Sequence, residues 1–364
     1  MRVGLLTGGG DCPGLNAAIR ALTKRLLLQG DAEVFGFEDG FRGMIEGDVR
    51  PVTYRDASGI LTEGGTVLGS SNTADPFGYR SGEDVSDRAL DCCEELGLDA
   101  VVAVGGDGTM AIAHRFQERG LPMIGVPKTI DNDLAETERT FGFDTAVSIA
   151  TEALDRIHTT AQSHHRVMIV ETMGRYAGWI ALHAGAASGS DVILIPEIDY
   201  DPEAVAAVCR ARDEDGQQFT IIAIAEGATP KGGDRIVQDT VEGSPDPVRL
   251  GGISGVLKEQ LEPHVESEIR TTVLGHMQRG GTPTAFDRNL ATAFGARAAR
   301  LARAGRGGRM VALQGGAFTD VPLEAVAGKT RTVPPDDALV EAAQAVGTSF
   351  GTAETAPTRA SSSS

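Results

Sequence analysis

The sequence predicts an α/β protein in which mostly parallel sheets are covered by helices on both faces. Two patterns carry this prediction. Short apolar, β-branched runs alternate with longer segments of helical character, and glycine-rich or acidic turns follow several of the runs. With 364 residues the chain is long enough for a large two-lobed enzyme, and 41% hydrophobic with 23% charged residues excludes a disordered or fibrous chain.

In chain order, a strand over 2–6 feeds a glycine loop and a helix over 16–28, and a second strand follows over 34–37. A helix over 85–96 precedes the strongest strand, 101–104, which leads to a helix over 110–119 and a strand over 123–126. Beyond it lie a helix over 145–160, a strand over 167–170, a helix over 176–187 and a strand over 192–195. The last set is a helix over 202–212, a strand over 220–225, helices over 255–261 and 287–303, and a strand over 310–314. Each strand is short and apolar, as expected where both faces are buried. No repeat or low-complexity linker divides the middle of the chain, and only 355–364 has the composition of a disordered tail.

Net charge is −18, with five lysines against 28 arginines. So acidic a surface repels nucleic acid and anionic lipid, and neither is expected as a partner. An anionic small substrate then has to be drawn in by a local arginine cluster. The acidic, lysine-poor balance fits either a salty cytoplasm or a GC-rich genome. Four cysteines without metal-type spacing read as reduced thiols, and no apolar stretch approaches the roughly 18–20 residues that span a membrane. The expectation is a soluble, cytoplasmic protein.

The 47 glycines cluster rather than recur with a collagen period, and in open α/β sheets ligands gather at strand carboxyl ends. TGGGDCPGLN, from Thr7 to Asn16, follows a strand and opens a helix, where freed N–H groups and the helix dipole favour an anion. It is neither a GxGxxG fingerprint nor a Walker A loop, and a tight turn is the bland alternative. VGGDGT supplies Gly105, Gly106, Gly108 and Thr109 as a phosphate nest and Asp107 as a hard carboxylate for Mg²⁺; a structural turn competes. PKTIDND puts Asp131 and Asp133 two residues apart in what reads as an extended loop, so both project the same way. One carboxylate can take a hydroxyl proton, while Lys128 offers charge to a transferring phosphoryl group. An Asx-rich turn is the alternative. VETMGRYAGW is again strand then helix. RTTVLGHMQRGG sets Arg270, His276 and Arg279 around one strand-to-loop transition, fit for a phosphomonoester or for a surface salt-bridge cluster.

Taken together, in this order and spacing over residues 1 to about 320, these stretches resemble the 6-phosphofructokinase family. The resemblance implies two Rossmann-like lobes, with the chain crossing between them more than once and the active site in the cleft. A donor lobe is expected over 1–142 and about 278–322, and a sugar-phosphate lobe over 143–277 and about 323–350. The implied reaction moves a phosphoryl group to the 1-hydroxyl of fructose 6-phosphate, with Mg²⁺ as cofactor. Carried over by motif, Asp131 resembles the general base, with Thr129 and Asp133 beside it on the sugar side. Gly10 and Gly105–Thr109 resemble the donor-phosphate loops, and Asp107 the Mg²⁺ carboxylate. Met173, Gly174 and Arg175 resemble the sugar-binding turn, with Arg175 also facing the transferring group; Glu226 resembles the carboxylate that accepts sugar hydroxyls. Arg270, His276 and Arg279, joined by Arg166, resemble the 6-phosphate pocket. In the family, Arg166 and Arg270 reach in from a neighbouring subunit, which implies a homodimer or homotetramer with shared sites.

The donor rests on two positions. Pyrophosphate-dependent members generally carry aspartate where this chain has Gly108, and lysine where it has Lys128. Glycine leaves room for the α-phosphate of ATP, while lysine is permissive of both donors, so ATP is expected and pyrophosphate is the alternative. Phe41 occupies the place of an aromatic that packs on adenine. Asn72 stands where the family usually has an arginine bridging donor and acceptor phosphates; Arg80 and Lys128 are the candidates to compensate. That departure also opens a non-catalytic phosphosugar-binding reading, opposed by the presence of Asp107, Asp131 and Arg175. GGDGT alone would fit an NAD or lipid kinase, which leaves PKTIDND, MGR and HMQRGG unexplained.

Overall fold

The computed structural model describes residues 1–240 and 248–353; the tail expected over 355–364 lies outside them. The strands are β1 (Arg2–Thr7), β2 (Glu33–Phe37), β3 (Val49–Pro51), β4 (Ala100–Gly105), β5 (Met123–Thr129), β6 (Phe141–Gly142), β7 (Val167–Thr172), β8 (Val192–Leu194), β9 (Thr220–Ala225), β10 (Val237–Thr240), β11 (Val248–Leu250), β12 (Ile269–Val273), β13 (Arg309–Gln314) and β14 (Ala317–Pro322). The helices are α1 (Leu15–Leu28), α2 (Phe41–Glu46), α3 (Tyr79–Gly82), α4 (Ser86–Glu95), α5 (Asp107–Glu118), α6 (Phe143–His164), α7 (Trp179–Ala187), α8 (Pro202–Glu214), α9 (Ile253–Leu261), α10 (Ala285–Arg303) and α11 (Ala338–Ala345). Among the described residues, no helix is long and apolar enough to cross a membrane.

The chain forms two compact units. The first is built mainly from Met1–Thr145 and Arg279–Arg331. Its sheet runs β14-β13-β5-β4-β1-β2-β3, with β6 beside β5. The pairs are parallel except β13–β14 and β2–β3. All six residues of β4 are buried, as a strand covered on both faces requires. Leu6, Phe37, Phe41, Ala89, Met110 and Phe116 draw β1, β2, α2, α4 and α5 into one apolar cluster.

The second unit is built from Ala146–Asp239, Val248–Gln278 and the chain from Thr332 on. Its sheet is β12-β7-β9-β8, parallel throughout. Val205, Ala206 and Cys209 of α8 and Ile253, Leu257 and Leu261 of α9 pack with β7, β8 and β9. The ribbon β10–β11 stands apart from both large sheets.

Some elements escape sequence reasoning for physical reasons. The edge strand β12 is mostly exposed, so IRTTV carries no apolar run. Helix α5 begins at Asp107 rather than at 110, because buried Thr109 packs under the glycines of both neighbouring loops. Helix α11 is capped by Asp337, whose side chain accepts the Leu339 N–H at 2.9 Å. The chain leaves the first unit at Arg331, later than the expected 322, because Leu323 and Val326 belong to that unit's core and Leu134 pairs with Thr330.

Candidate active site

In the first unit, the carboxyl ends of β1, β4 and β5 lie side by side: Thr7 pairs with Val104, and Gly105 with Pro127. The three loops singled out in the sequence therefore emerge next to one another. The Gly8 N–H bonds to Val104 O at 2.9 Å and the Gly9 N–H to Ser71 O at 3.3 Å. Gly9 has φ +74°, and a side chain on Gly8 or Gly105 would run into Thr109. Glycine is therefore dictated there by sterics. Asp107, Gly108 and Thr109 form the first turn of α5, so a helix N-terminus replaces the expected open loop and still offers N–H groups to phosphate.

Two cations grip the first loop. Lys128 is only 3% exposed and donates from Nζ to Gly10 O, while Arg279 donates from Nη1 to Asp11 O at 3.1 Å and covers Gly10. Burial pushes the Lys128 pKa below its ordinary value, and the Arg279 charge pushes the same way. Arg80 donates to Glu46 at 3.0 Å from a largely exposed position, whereas Lys128 sits in the glycine loop. Of the two residues that could compensate for exposed Asn72, Lys128 is the one at the loop.

The acidic turn departs from the expected extended loop. Asn132 is fully buried with φ +52°, which bends the chain between Asp131 and Asp133. Its Oδ1 accepts the Thr140 N–H at 3.0 Å, and Thr140 Oγ1 donates to Thr129 O at 2.7 Å. The Asp131 N–H donates to Thr129 Oγ1 at 3.1 Å, and the Thr129 hydroxyl donates to the Asp133 carboxylate. Burial, and then the Asp131 charge, push Asp133 up to about 7. A pair of carboxylates that cannot both ionise easily is suited to accepting a proton near neutral pH.

Asp107 is half-buried, and burial raises its pKa. Its Oδ1 accepts the Gly328 N–H at 3.1 Å. Among the described residues, no group of three or more His, Cys, Asp or Glu could hold a metal ion. A single hard carboxylate beside phosphate loops fits Mg²⁺ carried in with phosphates, and does not fit an all-protein metal cage.

Phe41 departs from expectation. Only 4% exposed, it stacks on Phe116 with ring centroids 6.1 Å apart, so it is a core residue with no free face for adenine. A residue that sequence reasoning passed over is Arg115, exposed, whose guanidinium lies 3.7 Å over the ring of half-buried Phe77, itself packed on Phe116 at 4.9 Å, so the planar face presented there is the guanidinium. Its signal would have been its place eight residues beyond Asp107 on the same helix. Arg115 and Phe77 line a surface cavity of about 380 Å³ with Asp84, Ser86, Asp87, Glu118 and Arg119.

In the second unit, Met173, Gly174 and Arg175 follow β7, and Glu226 follows its neighbour β9. The Glu226 N–H bonds to Thr172 O at 2.9 Å and the Gly227 N–H to Gly174 O at 3.2 Å. A side chain on Gly227 would strike Arg175 O, so the two turns meet backbone to backbone. The Arg175 and Arg235 guanidiniums flank the Tyr176 ring at 5.6 and 5.0 Å.

Arg270 lies within β12, paired with Met168 of β7, and His276 follows the strand. Arg166 and Arg270 lie at the amino ends of the paired strands β7 and β12, both bonded to Glu268. Met173–Arg175 lie beyond the carboxyl end of β7, roughly 20 Å away for a six-residue strand. His276 follows β12 on that same side. A strand length therefore separates Arg166 from the Met173–Arg175 turn, with Arg270 two residues nearer.

The chain matches the phosphofructokinase family model over residues 2–302. It is 49% identical over 358 residues to ATP-dependent 6-phosphofructokinase 2 of Clostridium perfringens, covering 96% of this chain and 98% of that one. It is 50% identical over 352 residues to a pyrophosphate–fructose 6-phosphate 1-phosphotransferase of Streptomyces coelicolor, covering 96% and 100%. The crystal structure of Pichia pastoris phosphofructokinase in the T-state superposes with a TM-score of 0.76 at 31% identity, covering 89% of this chain and 35% of that longer one. Sequence likeness along nearly the whole chain and three site loops on adjacent strand ends converge on one conclusion: the chain belongs to the phosphofructokinase family.

Proposed function

We propose that the chain transfers a phosphoryl group from MgATP to the 1-hydroxyl of fructose 6-phosphate, giving fructose 1,6-bisphosphate, as the committed kinase step of glycolysis in the cytoplasm. The observation that carries this reading is the acidic turn, with its half-buried carboxylate pair, emerging beside two glycine loops and a helix N-terminus.

Asp131 takes the proton of the 1-hydroxyl while Thr129 and Asp133 orient the sugar. General-base catalysis of this kind contributes about 10²–10⁴-fold. Gly10, Gly105, Gly106, Gly108 and Thr109 surround the donor phosphates. Mg²⁺, when bound with the donor beside Asp107, neutralises phosphate charge. Lys128 adds positive charge at the loop where Asn72 supplies none. Met173, Gly174, Arg175 and Glu226 hold the sugar, and His276 and Arg279 its 6-phosphate. Arg166 and Arg270 serve the 6-phosphate of a neighbouring subunit, which their distance from the chain's own sugar turn supports. The active form is then a homodimer or homotetramer.

Arg115 stands eight residues after Asp107 on α5, about 12 Å along the helix, and its guanidinium over Phe77 offers a stacking face for adenine. A second donor is favoured by one observation, since Lys128 in the glycine loop suits pyrophosphate as well. Coupled assays with fructose 6-phosphate and either MgATP or Mg-pyrophosphate separate the readings. Turnover with MgATP is expected; turnover with pyrophosphate alone would overturn the donor assignment, and none with either would leave a phosphosugar-binding protein.

A further inference from the structure

A strap beyond the matched family region touches two parts of the proposed machinery. Residues 328–331 follow the short 3₁₀ turn Leu323–Ala325, whose Leu323, with nearby Val326, is anchored in the core of the first unit. The Gly328 N–H donates to Asp107 Oδ1 at 3.1 Å. Thr330 pairs with Leu134 in an antiparallel bridge. The Arg331 N–H donates to Asp133 O at 2.6 Å, and Arg331 Nη1 donates to both Asn132 O and Glu138 O at 3.1 Å.

We propose that Arg331 is a positioning residue for catalysis, holding the Asp131–Asn132–Asp133 turn in the bent form that aims the proton-accepting carboxylate. This rests on Asp131 being the base. Asn132 is a non-glycine residue in left-handed backbone, which asparagine tolerates better than most residues, and the bonds around it hold the turn in that form. The Asn132 side chain secures one side of the turn through Thr140. The Asn132 Nδ2 also donates to Glu138 O at 3.4 Å, and its backbone carbonyl accepts from the charged Arg331 guanidinium. By also taking Glu138 O, the same Nη1 ties the start of the acidic loop to its end, while the backbone of the strap fixes Asp133. Arg331 touches neither donor nor sugar in this scheme and acts through the turn. Displacements of about 1 Å at reacting groups can cost about 10²-fold in rate, so the effect belongs in kcat.

The test compares Arg331→Ala, Arg331→Gln and Arg331→Lys in the full-length enzyme, with KM for both substrates, kcat and thermal unfolding measured for each. Arg331→Ala is expected to lower kcat at least about tenfold, in line with loss of transition-state alignment, with both KM values within about twofold. Millimolar guanidinium should restore part of that kcat, and Arg331→Lys should retain more of it than Arg331→Gln. Wild-type kcat in Arg331→Ala would overturn the proposal. So would a loss spread over kcat, both KM values and Tm without guanidinium rescue. If Arg331→Ala does not fold, equal kcat in the Lys and Gln variants would overturn it. Asp131→Ala is the control. Near-normal turnover there would refute the base reading itself, whereas an inactive Asp131→Ala beside a fully active Arg331→Ala would refute the strap alone.

Discussion

Replacing Asp133 by asparagine keeps the shape of the acidic turn and removes one of its two charges. Asp133 is pushed up to about 7, first by burial and then by the negative charge of Asp131. An unfolded aspartate titrates near 3.8, so the folded protein holds a proton that the unfolded chain gives up between about pH 4 and 7. A raised folded pKa contributes stability that is complete below the unfolded pKa and is lost as pH rises through the folded one. Carried by Asp133 alone, a shift of about three units would correspond to about 4 kcal/mol lost above pH 7. The Asp131 charge causes part of that shift, so the share set by burial of Asp133 alone is smaller. Asp133→Asn should therefore raise Tm at pH 8 and leave it little changed at pH 4, as read by thermal unfolding at each pH. A Tm difference that is the same at both pH values would refute the reasoning.

Other parts of the site make separate predictions. Arg115→Ala should raise the KM for ATP about tenfold through loss of the stacked guanidinium while leaving any pyrophosphate-driven turnover intact; equal effects on both donors would remove the adenine platform. Gly108→Asp should abolish ATP-driven turnover by placing a carboxylate in the donor loop, and retained ATP kinetics would remove the steric gate. Mixing inactive Asp131→Ala subunits with inactive Arg166→Ala subunits should restore activity in hybrid oligomers, and no recovery on subunit exchange would argue against shared sites.

The parts of this site legible in the sequence are those whose chemistry forces a local signature. Gly8 and Gly105 must lack side chains because Thr109 packs against both, and since Gly8 follows one buried strand and Gly105 ends another, glycine after an apolar run is enough to find them. Asp107 and Asp131 announce themselves in the same turns. What stays hidden depends on neighbours distant in the chain. The bend at Asn132 is held by Thr140 and Arg331, so IDND by itself reads as extended. Phe41 sits in a motif that suggests adenine, yet Phe116 covers its ring. Arg270 lies on an exposed edge strand that carries no apolar run, so its place beside Arg166 on the paired strand cannot be read from the motif. Arg331 acts on backbone carbonyls, and a carbonyl selects for no partner residue that a motif could record.

The most direct test of the account is the kinetics of Asp131→Ala with fructose 6-phosphate and MgATP, alongside sugar-phosphate binding by calorimetry. With Asp131 as the proton acceptor, kcat should fall by about 10²–10⁴-fold while fructose 6-phosphate still binds. Near-normal kcat, or loss of sugar-phosphate binding with turnover per bound substrate intact, would contradict it.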